Sequence, residues 1–252
     1  LKYGVIVAED ELLLQKNLIK KINESPTDFQ VVGAAQTGVQ ALELIEKEVP
    51  FLLVTDIRMP VMDGLELIQR AREINPDLDA IIVSGYSEFE YAQTAIHLQV
   101  REYLLKPVER KKLEETLLSL QHDYEIKKQD LEKALTSSMT SGTPADVAGL
   151  LKKYLTEEFA SPVNLNLIAE NLNYSPSHLT RLFQQQYHTT PSKYLIHIRM
   201  EKAKQYINTR PDLTIHMVGE AVGYPDPGYF SRIFKKYVGM SPQKYKDLSQ
   251  IT

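Results

Sequence analysis

Cysteine is absent from the 252 residues. That excludes a disulfide framework and a thiolate metal site, and it fits a reducing, cytoplasmic setting. Nor does any run approach the roughly 18 apolar residues of a membrane span, so no membrane partner is expected. The opening stretch LKYGVIVAEDE reaches acid after one short apolar run and lacks the basic start and longer apolar core of a signal peptide. What is present suffices for ordinary cores: 43% of the residues are hydrophobic, and the length suggests about two domains.

Acidic residues outnumber basic ones in the first part, and the balance reverses in the second. Residues 150–252 carry 13 Lys and Arg against 8 Asp and Glu, a net of +5, while the remaining 16 of 29 basic residues face 25 of 33 acidic ones, a net of −9. An acidic half joined to a basic half points to a polyanionic partner for the second alone.

Five short apolar runs read as strands: YGVIVA (3–8), VVGAA (31–35), FLLVT (51–55), AIIVS (80–84) and EYLL (102–105). Helical patterns separate them, such as Leu12, Ile19 and Ile22, or Leu65, Ile68 and Ile74. This alternation predicts an α/β doubly wound, five-stranded parallel sheet covered on both faces, with its working site beyond the carboxyl ends of the strands. Glu9 and Asp10 stand at the first such end, Asp56 at the third, Ser84 at the fourth, and Lys106 with Pro107 at the fifth. Three carboxylates crowd unless a cation or a proton intervenes, and an all-oxygen set suits Mg²⁺ with retained waters. A metal-clamped Asp56 is a candidate nucleophile toward a phosphoryl donor. Lys106 would pair with the added group and Ser84 would hydrogen-bond it. Pro107 fixes the chain direction there, and Asp63-Gly64 reads as a plain turn. Taken singly, an Asp after a strand is most often a cap; the joint spacing carries the functional reading.

These residues resemble the receiver domain of two-component response regulators, a flavodoxin-like fold, over residues 1–120. The resemblance implies that Asp56 accepts phosphate from a sensor histidine kinase and that Glu9, Asp10, Asp56 and the Arg58 backbone carbonyl hold Mg²⁺. It also implies that Ser84 and Tyr103 form a switch pair beside Lys106. Glu9 stands where Asp is commoner, which adds a methylene. A dehalogenase-type phosphatase would need a second Asp where Arg58 stands. A flavodoxin would need a phosphate cradle after the first strand, where Glu9, Asp10 and Glu11 would repel phosphate. The receiver reading makes the chain a regulator rather than an enzyme.

From Glu109 a helix is expected, with Leu113, Leu117, Leu120, Tyr124, Leu131 and Leu135 in a four-three rhythm that Lys127 interrupts. Two readings fit it: the last receiver helix with a solvated extension, or a short dimer coiled coil. TSSMTSGTP (136–144) is polar and rich in breakers. The expected segments are thus 1–120, a helical linker at 121–147, and 148–252.

The last segment holds an internal repeat. LIAENLNYSPSHLTRLFQQQYHTTPSKY (167–194) aligns with MVGEAVGYPDPGYFSRIFKKYVGMSPQKY (217–245), matching Tyr174 to Tyr224, Arg181 to Arg232, Phe183 to Phe234 and Pro191 to Pro242. Two copies are too few for a solenoid, which needs about three, so a paired helix-turn-helix is the better reading. In the first copy Ser175 caps the second helix and Leu179, Leu182 and Phe183 face inward, leaving Ser177, His178, Thr180, Arg181 and Gln184 outward. In the second, Asp226 caps, Pro227 opens the helix, and Phe230, Ile233 and Phe234 face inward. Gly228, Tyr229, Ser231, Arg232, Lys235 and Lys236 are left outward. Arg suits guanine edges, Ser and Thr suit bases or phosphate, and the Lys pair suits phosphate.

This all-α half resembles the DNA-binding domain of the AraC/XylS family, most specifically in RMEKAKQYI (199–207) and GYPDPGYFSRIFKKYVGMSPQKY (223–245). Pro225 and Gly228 depart a little from the commonest pattern. The resemblance implies a helix near 192–208 that joins the two units and sets both reading helices on one side. Both resemblances together imply a phosphorylation-switched, sequence-specific transcription factor, an activator that meets RNA polymerase and forms a homodimer on phosphorylation. The alternative keeps DNA binding but uses the receiver as a phosphate-independent dimerisation module, against which the intact Glu9, Asp10, Asp56, Ser84 and Lys106 argue.

Overall fold

The computed structural model describes residues 2–85, 89–136 and 144–249, so most of the expected breaker stretch at 136–144 lies outside the described residues. Five strands form one parallel sheet: β1 (Tyr3–Ala8), β2 (Phe29–Ala35), β3 (Leu52–Thr55), β4 (Asp79–Ser84) and β5 (Glu102–Leu105), in the order β2-β1-β3-β4-β5. Between and after them run α1 (Leu12–Asn23), α2 (Gly38–Glu48), α3 (Gly64–Ile74), α4 (Phe89–His97) and α5 (Arg110–Thr136). All four residues of β3 are buried, which is why it reads as an unbroken apolar run rather than an alternating one. Ile6, Leu53 and Ile82 pack with Ile45, Leu67 and Ile68 of α2 and α3 in one cluster.

The buried face of α1 differs from the expected one. Gln15, Leu18 and Ile22 are buried, whereas Leu12 is 49% exposed and Ile19 is half-buried. The run of three leucines at its start leaves the helical phase open, and the three-four spacing of 15, 18 and 22 settles it. Gln15 is tolerated inside because its amide donates to the backbone oxygens of Glu9 at 3.0 Å and Ala35 at 2.7 Å.

Helix α5 answers the choice between core and coiled coil for its first half. Leu113, Leu117, Leu120 and Tyr124 are all buried in this chain's own core. The Tyr124 ring lies 5.2 Å from Tyr3, 6.0 Å from Phe29 and 5.3 Å from Phe51. Its hydroxyl donates to Asp79 Oδ2 at 2.7 Å, and Asp79 is in turn paired with Arg101 at 2.7 Å. The core therefore reaches past the boundary expected at 120. Leu131 is buried as well, while the side chain of Leu135 is outside the described residues.

Contacts group the chain into two compact units, Leu1–Ser141 with Asn164–Leu179, and Gly142–Val163 with Thr180–Thr252. These do not coincide with the expected segments. The reason is that α5 continues unbroken and α7 (Leu165–Asn171) packs against it, with Lys128 paired to Glu170. The other helices are α6 (Pro144–Glu157), α8 (Pro176–Tyr187), α9 (Pro191–Thr209), α10 (Ile215–Ala221), α11 (Pro227–Val238) and α12 (Pro242–Ser249).

The sequence repeat is also a backbone repeat. Asn164 caps α7 as Thr214 caps α10. Left-handed residues then end each first helix, Asn173 at φ 57° and Gly223 at φ 84°, and each second helix, His188 at φ 56° and Gly239 at φ 86°. Asn, His and Gly are the residues that adopt this conformation most readily. Thr190 and Ser241 cap the helices that open on Pro191 and Pro242. In the second unit Phe230, Ile233 and Phe234 fill a core with Ile196, Met200, Ala203 and Val218.

Candidate functional site

Strand register assembles the acidic site. Ala8 pairs with Thr55 across β1 and β3, so the next residues, Glu9 and Asp56, emerge side by side. Ser84 pairs with Leu105 across β4 and β5, which brings Lys106 to the same edge. Backbone bonds extend the ladder one step beyond the strands, from Asp56 N to Ala8 O at 2.9 Å and from Lys106 N to Ser84 O at 2.8 Å. The order of the strands reverses between β1 and β3, and open parallel sheets bind their ligands at such a switch point.

The side chains converge. One ligand oxygen from each of Glu9, Asp10 and Asp56 lies within 4.8 Å of the others. Lys106 Nζ sits 2.8 Å from Glu9 Oε2 and 2.6 Å from Asp56 Oδ2, and the Ile57 amide donates to Asp56 Oδ1 at 2.5 Å. Glu9 and Asp56 are buried and Asp10 is half-buried. Burial pushes the Glu9 carboxyl up, against the pull of Lys106 and with a further push from the Asp56 charge. Burial alone would lower Lys106, but its bonds to Asp56 and Glu9 carry it above the ordinary lysine range. Lys106 pairs with two of the three carboxylates, Glu9 and Asp56, and the all-oxygen donor set fits a hydrated Mg²⁺.

The loop after Asp56 folds back tightly. Gly64 N donates to Ile57 O at 2.8 Å, and a Cβ at Gly64 would stand 2.0 Å from the Asp56 carbonyl oxygen. Gly64 is thus more than the turn signal it resembled. Asp63 caps α3 by accepting from Glu66 N at 2.8 Å. The Arg58 guanidinium reaches the Tyr91 ring of α4, 5.9 Å from its centroid. Ser84 is fully buried at the end of β4, and Tyr103 packs, partly buried, on the same apolar cluster as Tyr91. Two residues that hold this site, Gln15 and Gly64, escaped the sequence reading: a Gln on an apolar face and a Gly after Asp carry no local mark of what they touch.

The helix faces read as outward carry both exposed and half-buried residues. On α8, Ser177, Arg181 and Gln184 are exposed and His178 and Thr180 half-buried, and the Ser175 hydroxyl accepts from His178 N at 3.3 Å. Leu179 and Phe183 are buried, but Leu182 is only half-buried. On α11, Gly228, Arg232, Lys235 and Lys236 are exposed, with Tyr229 and Ser231 half-buried. Asp226 caps that helix through Tyr229 N, and Pro227 occupies its first turn. Among the described residues, no helix is long and apolar enough to cross a membrane.

The family model for the response regulator receiver domain matches residues 5–118, and one for a helix-turn-helix domain matches residues 168–247. Among curated proteins, the uncharacterized transcriptional regulatory protein YesN of Bacillus subtilis (strain 168) is 23% identical over an alignment 360 positions long that covers 97% of each chain. The transcriptional regulatory protein HptR of Staphylococcus aureus (strain NCTC 8325 / PS 47) is 27% identical over 250 residues, 96% of this chain and 98% of that one. Among solved structures, the receiver domain of AraT, a response regulator from Geobacillus stearothermophilus, is 38% identical, covering 51% of this chain and 99% of its own with a TM-score of 0.47. The strand-end acids and lysine, the repeated helix-turn-helix and the two family models agree: the chain belongs to the response regulators, joining a receiver domain to an AraC-type helix-turn-helix domain.

Proposed function

We propose that Asp56 accepts a phosphoryl group from a sensor histidine kinase and that this modification switches sequence-specific DNA binding by α8 and α11. The observation that carries the reading is the placement of Lys106 Nζ 2.6 Å from Asp56 Oδ2 and 2.8 Å from Glu9 Oε2 at a sheet switch point. An Asp56 carboxylate oxygen attacks phosphorus, the bond from phosphorus to the donor nitrogen breaks, and the imidazole leaves with that electron pair. Bound Mg²⁺, held by Glu9, Asp10, Asp56 and the Arg58 carbonyl, would supply charge neutralisation. Lys106 exchanges its bond to the Asp56 carboxylate for one to a phosphoryl oxygen. Ser84 turns its hydroxyl to the same group, and Tyr103 moves inward against the apolar cluster, changing the surface between Tyr91 and Tyr103 that a second copy then meets.

The DNA side of the proposal rests on the exposed polar faces of α8 and α11. Arg181 and Arg232 read base edges, while Lys235 and Lys236 hold phosphates. The protein so described is a cytoplasmic activator that works as a homodimer with RNA polymerase, and is not itself an enzyme. The test is intact-mass analysis after exposure to acetyl phosphate and Mg²⁺. Wild type is expected to gain one phosphoryl group and Asp56→Asn none. Undiminished labelling of the variant would overturn the assignment, and equal sedimentation with and without the donor would favour the phosphate-independent dimer.

A further inference from the structure

Arg199, in the middle of α9, is 3% exposed, yet among the described residues its hydrogen bonds go to carbonyl oxygens rather than to a carboxylate. Its Nε donates to Phe159 O at 2.7 Å and its Nη2 to Ser161 O at 3.0 Å. The other side of the guanidinium meets the turn between α10 and α11. Its Cζ lies 5.0 Å from the Tyr224 ring centroid. A Cβ on Gly223, itself at φ 84°, would stand 3.0 Å from both Cζ and Nη2 and 2.9 Å from Ala160 O. One planar cation therefore joins the loop after α6 to the turn that sets the angle at which α11 leaves α10. A buried cation is retained only where its geometry is well satisfied, and the fork of Arg suits two carbonyls and a ring face at once.

Among the described residues, the first helix-turn-helix unit lacks this part. Tyr174, the counterpart of Tyr224, meets the His178 ring instead, with centroids 5.2 Å apart. We infer that Arg199 is a positioning residue that fixes how the second reading helix, and not the first, meets its base pairs. This rests on the DNA-reading function proposed above.

The probe is a duplex enriched from a randomised library by the phosphorylated wild-type chain. Its bases are assigned to α8 or α11 by which preferences Arg181→Ala and Arg232→Ala flatten. Arg199→Met, and the gentler Arg199→Lys, are then measured on every single-base substitution of that duplex, with far-UV circular dichroism as a check on folding. Discrimination within the α11 segment is expected to fall about five-fold or more, the loss of one good base contact, while the α8 segment keeps its preferences and the helical signal is unchanged. Equal losses in both segments, no loss in either, or collapse of the helical signal in both variants would each overturn the inference, leaving Arg199 a fold residue. A wild-type chain that enriches no sequence would instead bring down the DNA-reading proposal on which the inference stands.

Discussion

The acidic edge of the sheet and the outward faces of α8 and α11 place charge in opposite ways. At the sheet edge Glu9 and Asp56 are buried and Lys106 is only 16% exposed, all bonded within 3 Å. On α8 and α11, Arg181, Arg232, Lys235 and Lys236 are exposed along helical faces. A buried assembly depends on backbone register and on every member, because an unpaired buried charge is expensive. An exposed face works by summation, since well-separated contacts add nearly independently and each is worth little alone. Substitutions at the first should therefore act nearly all-or-none, and at the second in graded steps.

The largest effect is expected at Gly64. Gly64→Ala places a methyl 2.0 Å from the Asp56 carbonyl oxygen, so the loop must move. Unfolding in urea should show a loss of about 3 kcal/mol or more, with phosphoryl labelling lost too. A stable, labelled variant would break the picture of a rigid buried edge. Next is Lys106→Ala, which removes the cation shared by Glu9 and Asp56. The initial rate of labelling by acetyl phosphate should fall about a hundred-fold, as when a preorganised charge-stabilising donor is deleted. A fall of two-fold would place Lys106 outside the chemistry.

On the exposed faces the steps are smaller. Arg181→Ala and Arg232→Ala should each cost about 1 to 3 kcal/mol of binding to a selected duplex and relax base preference within one segment only. If both variants keep wild-type preference, α8 and α11 are not the reading helices. Smallest per residue are Lys235→Ala and Lys236→Ala, which should weaken all sequences alike and flatten the slope of log affinity against log salt by about 0.9 for each lost phosphate contact. An unchanged slope would remove them from the interface.

Much of this contrast could be read without coordinates, for physical reasons that also mark where reading stops. Parallel strands buried on both faces must be apolar until they end, so Glu9, Asp56, Ser84 and Lys106 announce the sheet edge by interrupting the runs before them. The duplicated unit is legible from its matched pairs, such as Tyr174 with Tyr224 and Phe183 with Phe234, and its backbone adds the left-handed Asn173 opposite Gly223. What stayed hidden depends on contacts distant in sequence. Gln15 is buried only because the Glu9 and Ala35 carbonyls are there to receive it. Tyr124 belongs to the sheet core only because Tyr3, Phe29 and Phe51 meet it. Leu12 and Leu13, at 49% and 82% exposed, show that an apolar run at a helix start does not say which way the helix turns.

The proposed coupling of the buried edge to the exposed faces is tested most directly by one titration. The full chain, with and without acetyl phosphate and Mg²⁺, is titrated against its selected duplex at fixed salt, beside Asp56→Asn treated identically. Tighter binding on treatment is expected for the wild-type chain and no change for Asp56→Asn. Equal affinity of the treated and untreated wild-type chain, with mass analysis showing Asp56 fully phosphorylated, would contradict the phosphorylation switch.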